Sequence, residues 1–168
     1  MIEIIAVCAF AGLLVYAAGS DIASLTIPNW LSIALAGLYP VFALAAGAPL
    51  SAIGLNIAFG LAVLVIGFVL FQFNVLGGGD AKLLAAAAVW TGLAAFMPFL
   101  FWTAAAGGVL ALTLLAARHF LKQEESNPPF VNRLLKEQNG IPYGVAIMIG
   151  GLLAAPQLPI LSSALTLP

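Results

Sequence analysis

Between Asp21 and Asp80 the chain carries no charged side chain at all. A stretch of that length and polarity cannot supply the solvated face that a water-soluble domain needs. The rest of the sequence agrees: 64% of residues are apolar and only 7% are charged, against about 25% charged in ordinary soluble domains. We therefore read an integral membrane protein. At roughly 20 apolar residues per crossing, the expected fold is all-α with about six transmembrane helices in one polytopic domain, residues 1–168.

The composition also excludes several functions. A net charge of −1 gives no electrostatic footprint for nucleic acid, so no nucleic-acid partner is expected. The single cysteine, Cys8, rules out an intramolecular disulfide and a CxxC metal site, and neither a metal nor a cofactor is expected. Cys8 itself reads as a small apolar residue within the first run. Met1-Ile2-Glu3 lacks a basic n-region and no small-residue cleavage site precedes a polar chain, so the first run reads as a retained helix. Membrane lipids are expected partners, and the oligomeric state is left open.

Along the chain, the first crossing is expected from about Ile2 to Gly19, followed by a polar turn, Ser20 to Ile27. Pro28 opens the second crossing, where its missing N–H costs nothing. That helix extends to about Ala46 with a bend at Pro40. After Gly47-Ala48-Pro49 the third crossing covers about Ser51 to Phe73. Asn74 to Gly79 interrupts the pattern, and a fourth helix starts near Asp80. Its end is marked by Thr91-Gly92 or by Pro98, after which a fifth crossing reaches Phe120. Leu121 to Gly140 is polar and holds a short surface helix after Pro128-Pro129, with Phe130, Val131, Leu134 and Leu135 on one face. The sixth crossing starts at Ile141-Pro142-Tyr143-Gly144 and extends to about Ala155.

Orientation follows from the basic residues. Lys82, Arg118, Lys122, Arg133 and Lys136 cluster at the connections after helices three and five, and none lies near Gly47 or Gly92. Those connections, with the one after helix one, are expected at the cytoplasmic face of the plasma (inner) membrane, and both termini outside. Two crossings separate Asp21 from Asp80, so both carboxylates return to one face and can meet.

A carboxylate near hydrocarbon costs several kcal/mol, which makes an intramembrane pair a functional hypothesis by default. Two aspartates sharing one proton can hydrolyse a peptide: the ionised one activates water and the protonated one polarises the carbonyl. Helix ends should divide the labour, because Asp80 opens a helix whose dipole favours an anion whereas Asp21 follows a helix C-terminus. Gly77, Gly78 and Gly79 would offer backbone angles closed to other residues and allow close approach of a second backbone. The bland alternative is that the glycines break a helix and Asp80 caps the next one. Lys82, about 200° around the helix from Asp80, reads as a snorkelling residue or topology signal rather than a partner of the carboxylate. His119 reads as interfacial. Ser20, Ser24 and Thr26 lack a nearby histidine base, which argues against a serine nucleophile.

Three elements carry a resemblance. Gly77-Gly78-Gly79-Asp80-Ala81-Lys82 resembles the GxGD signature of type IV prepilin peptidases. Asp21 followed by Ile27-Pro28-Asn29 is similar to that family's first catalytic aspartate with its IPN element. Ile141-Pro142-Tyr143-Gly144 is similar to the PYG stretch of its last helix. The resemblance implies a membrane aspartic endopeptidase that removes a short basic leader from type IV or Flp-like prepilins, cutting just before their apolar helix. It implies Asp21 and Asp80 as the catalytic pair, with Gly77, Gly78, Gly79, Lys82, Pro142, Tyr143 and Gly144 in substrate-facing or structural roles. The short Ser20–Ile27 connection leaves no room for the cytoplasmic insertion of the methylating members, so the chain looks like the short CpaA/TadV-like branch of tight-adherence systems. Archaeal preflagellin peptidases are near relatives. Two other readings compete: a small transporter or ion-pathway subunit using the aspartates as a proton or cation relay, and a structural subunit of a secretion machine without chemistry.

Overall fold

A backbone embedded in apolar surroundings must satisfy its own N–H and C=O groups, and runs of Leu, Ala, Ile and Val do so as helices. The computed structural model describes residues 1–121, 127–136 and 140–161, and among them helices are the only regular elements. They are α1 (Ile2–Ser24), α2 (Asn29–Ala45), α3 (Leu50–Gln72), α4 (Gly78–Phe120), α5 (Pro129–Leu135) and α6 (Tyr143–Ala154), the last extended by a 3-10 turn, Ala155–Gln157. Among the described residues four helical stretches are long and apolar enough to cross a membrane: α1, α3, α4 and Tyr143–Leu161. With 17 residues, α2 is shorter.

The 43 residues of α4 are not one rod, because Gly92 interrupts them with φ 53° and ψ −168°. Only glycine adopts that combination without severe strain. The expected break is therefore at Gly92, while Pro98 lies inside the second arm. Side-chain neighbours give the direction of each arm. Gly67 lies against Ala81, Gly60 against Ala85 and Val89, and Asn56 against Gly92, so residues 78–91 run antiparallel to α3. In the second arm, residues 93–120, Thr103 faces Gly150 and Gly107 faces Tyr143, so this arm runs antiparallel to α6. The chain thus reverses at Gly92.

The first arm of α4 is the centre of the protein. Ala81, Leu83 and every residue from Ala85 to Gly92 are buried. Its alanines let neighbouring helices approach closely, as membrane bundles require in the absence of a strong hydrophobic drive. Trp90, fully buried, packs against Phe10, Tyr39 and Phe42. Its indole N–H donates to Leu35 O at 2.7 Å, which satisfies the one polar atom it brings into the core. Beneath lie Phe10 and Leu14 of α1, which meet Gly151 of α6.

Several local expectations are corrected. The first helix runs to Ser24 rather than Gly19, so Asp21 stands in its last turn and not in a loop; Leu25 closes the helix in the left-handed region, its N–H donating to Asp21 O at 2.7 Å. Pro28 is the cap residue before α2, which begins at Asn29. The surface helix forms as α5 over Pro129–Leu135, while residues 122–126 and 137–139, including Lys122 and Glu137, lie outside the described residues.

A methyl group at Gly92 would adopt an unfavourable φ and meet Asn56 Oδ1 at 2.6 Å. Gly92→Ala is expected to lower thermal stability in detergent by roughly 1–3 kcal/mol. Gly108→Ala, where a Cβ meets nothing within 4 Å, is expected to leave it unchanged in the same circular-dichroism melt.

Candidate active site

Three short segments converge at one end of the bundle: the last turn of α1 with the loop to α2, the loop from α3 into α4, and the start of α6. Between them is a cleft of about 550 Å³ whose lining includes Asp21, Ile27, Gly77, Asp80, Ile141 and Tyr143. Both aspartates therefore face one space. Asp21 is 5% exposed, and its Oδ2 accepts a hydrogen bond from the Gly144 N–H at 2.7 Å. That N–H belongs to the first turn of α6, where backbone donors have no helical partner of their own. A carboxylate is a natural cap for them, and here it comes from a helix 123 positions away in sequence.

Asp80 is the third residue of α4, and its carboxylate folds back over Gly77. The helix-end asymmetry expected from sequence is thereby removed. Asp80 lies at the N-terminus of α4, and Asp21, although on the last turn of α1, is bonded to the N-terminus of α6. Each carboxylate meets the positive end of a helix.

The glycines serve close approach and not unusual backbone angles. Among the described residues positive φ occurs at Leu25, Gly47, Asn74 and Gly92, and not at Gly77, Gly78 or Gly79. A Cβ on Gly77 would stand 2.6 Å from Asp80 Oδ2, and one on Gly79 would stand 3.3 Å from Ile27 Cβ. Gly78 packs on the Phe71 ring. Gly144 follows the same logic, since its Cβ would lie 2.9 Å from Asp21 Oδ2. All three glycines of the Gly77–Gly79 run line the cleft.

The remaining expected residues divide. Tyr143 lines the cleft, its ring set against Gly107. Pro142 is the buried cap residue of α6 and does not line the cleft. Lys82 does not line it either; its Nζ donates to Asn29 Oδ1 at 2.9 Å and borders a second cavity. Among the described residues no three His, Cys, Asp or Glu side chains come together as a metal cluster.

What holds the connection after Asp21 is not evident from the sequence pattern. Ser20 Oγ donates to Thr26 O at 2.9 Å, Ser24 Oγ donates to Ser20 O at 2.8 Å, and the Ser24 and Thr26 hydroxyls are 2.6 Å apart. These hydroxyls, poor candidates for nucleophiles, clamp the turn that sets Ile27 against Gly79. Their i, i+4 and i, i+6 spacing is the signal that could have shown it. The arginines play a similar part. Arg133 donates to Ala23 O, and Arg118 donates to Leu134 O at 2.9 Å and Gly140 O at 3.3 Å. They fasten α5 and the start of α6 to the end of α1 and the end of α4.

The sequence model of the type IV leader peptidase family matches residues 8–112. No curated protein and no solved structure matches the chain. The matched span contains Asp21, the IPN element and the GGGD run, and it stops before Gly144.

The Gly144–Asp21 contact generates a test. Gly144→Ala is expected to shift the Asp21 carboxyl band in isotope-edited infrared spectra and to lower stability by about 1–3 kcal/mol. Gly19→Ala, with nothing within 4 Å of the new Cβ, is expected to change neither.

Proposed function

The chain belongs to the type IV leader peptidase family, and from that premise we propose that it is a membrane aspartic endopeptidase removing the leader from a type IV or Flp-like prepilin at the cytoplasmic membrane surface. The observation that carries the reading is the shared cleft: Asp21 and Asp80 come from helices separated by two others and line one space of about 550 Å³. An isolated capping residue would have no need of a second carboxylate facing it.

In this reading one aspartate is ionised and the other protonated, because two like charges at close range resist simultaneous ionisation. The ionised carboxylate takes a proton from water as the water oxygen attacks the scissile carbonyl carbon. The protonated partner gives its proton to the carbonyl oxygen. Collapse of the tetrahedral centre then breaks the C–N bond: the amine leaves with the proton held by the first aspartate, and one hydroxyl of the centre returns a proton to the second, which restores the pair. The Gly144 N–H fixes the position of Asp21 through the cycle. The glycine run offers a wall without side chains along which an extended peptide can lie.

The proposed topology has six crossings, with α4 counted twice on account of Gly92, both termini outside, and the cleft facing the cytoplasm. Support comes from the positive-inside bias: Lys82, Arg118 and Arg133 all bond to groups at the cleft end of the bundle. Removal of the leader is the whole of the proposed activity, without methylation of the new N-terminus, because the α1–α2 connection is a short turn.

Reconstitution with a prepilin in vesicles tests the reading. Asp21→Asn and Asp80→Asn are each expected to slow leader cleavage by roughly 10²-fold to 10⁴-fold, with folding retained by size-exclusion chromatography. Undiminished cleavage by either variant would contradict the paired mechanism.

A further inference from the structure

Beside the cleft lies a second and larger cavity of about 660 Å³, bounded by α2, α3 and the first arm of α4. It is an open groove on the outside of the bundle, not an internal void. Its walls are single helix faces: Ile33 and Gly37 from α2, Ile57 and Leu61 from α3, over a floor of Ala85 and Ala86. Spacings of four residues on the walls keep each set on one side of its helix, so the groove runs along the helix axes. Ile33 and Leu61 on its rims are 71% and 58% exposed, and a Cβ on Gly37 would meet nothing within 4 Å.

Two observations separate this groove from ordinary lipid-facing surface. Ser32 lines it, is 8% exposed, and its Oγ has no hydrogen-bond partner among the described residues. A buried hydroxyl left open in an apolar setting is costly unless a guest brings it a polar group, such as a hydroxyl on a helix face or a carbonyl oxygen that accepts a second bond. Asn29 lines both the groove and the aspartate cleft, and Lys82 holds its side chain at that junction. The two spaces thus adjoin at one residue.

We infer that this groove seats the apolar helix that follows the leader in the substrate, which reaches it sideways from the bilayer and so hangs the scissile junction over Asp21 and Asp80. The inference rests on the peptidase reading above. A helix fits the groove for the reason helices pack in membranes: small residues, here Gly37, Ala85 and Ala86, permit backbone approach. A lipid chain would fill the apolar walls equally well, but it gives no reason for the groove to adjoin the cleft at Asn29. The linings suit a substrate with a polar leader and an apolar following segment, since the cleft holds both carboxylates whereas the groove walls are mostly aliphatic.

Site-specific photocrosslinking tests this. A benzoylphenylalanine is placed at Ile33 or Leu61, and as controls at Val15 or Leu112, which are exposed on other faces, each in an Asp80→Asn background that retains uncut precursor. The probe is a synthetic precursor with a basic leader and an apolar helix of about 20 residues, reconstituted in vesicles. Crosslinks at positions 33 and 61 are expected several-fold above those at 15 and 112. Equal yields at all four positions overturn the groove while leaving the peptidase reading intact, provided the unsubstituted protein cuts the precursor. Labelling of 33 and 61 by a photoactivatable phospholipid that excess precursor does not displace assigns the groove to lipid and overturns the inference. If the unsubstituted protein leaves the precursor uncut, the peptidase reading falls, and the occupant named here falls with it.

Discussion

The hydrogen bond from the Gly144 N–H to Asp21 Oδ2 joins the first helix to the last. It meets two needs at once. The carboxylate is largely withdrawn from water, and the start of α6 has backbone donors that its own helix cannot use. Each group removes the other's cost. The bond also explains why Gly144 is tolerated at the beginning of a helix, where it is a poor former: any side chain would stand on the oxygen it binds. Because α6 also packs along the second arm of α4 through Gly107 and Gly150, the position of Asp21 is tied to the helix whose first turn carries Asp80.

The same economy shapes the rest of the bundle. The first arm of α4 is so rich in alanine that α3 approaches it closely at Gly60 and Gly67, while Trp90 fills the space toward Phe10, Tyr39 and Phe42. A turn made by the single residue Gly92 then returns the chain without a loop. The result places polar function at one end only, where the α1–α2 turn, the glycine run and the strap of α5 meet. Arginines 118 and 133 donate to backbone carbonyls there and so anchor the irregular segments that a membrane protein can afford only at its surface.

Much of this was legible in the sequence because apolar runs and their interruptions have a direct physical meaning. The all-helical fold, the return of Asp80 to the side of Asp21, and a break at either Gly92 or Pro98, which the structure resolves to Gly92, follow from run length and from residues that helices reject. What the sequence misjudged were contacts between distant segments. Nothing local marks Ser20 to Asp21 as helix, since polar residues after an apolar run look like a turn; the αL residue Leu25 that ends α1 has no glycine signature. Of the two uses the Gly77–Gly79 run suggests, unusual backbone angles and close approach, only the second holds: the glycines keep ordinary φ values and matter for the space they leave to Asp80, Ile27 and Phe71. The role of Gly144 toward Asp21 spans almost the whole chain, and no spacing rule reaches that far.

The central claim is that Asp21 and Asp80 work as one acid–base unit. Isotope-edited infrared titration of their carboxyl bands in lipid tests it most directly. If the two share a site, replacing either with asparagine moves the titration of the other. If each band titrates identically whether or not its partner is present, the carboxylates are independent and the account of a paired site is wrong.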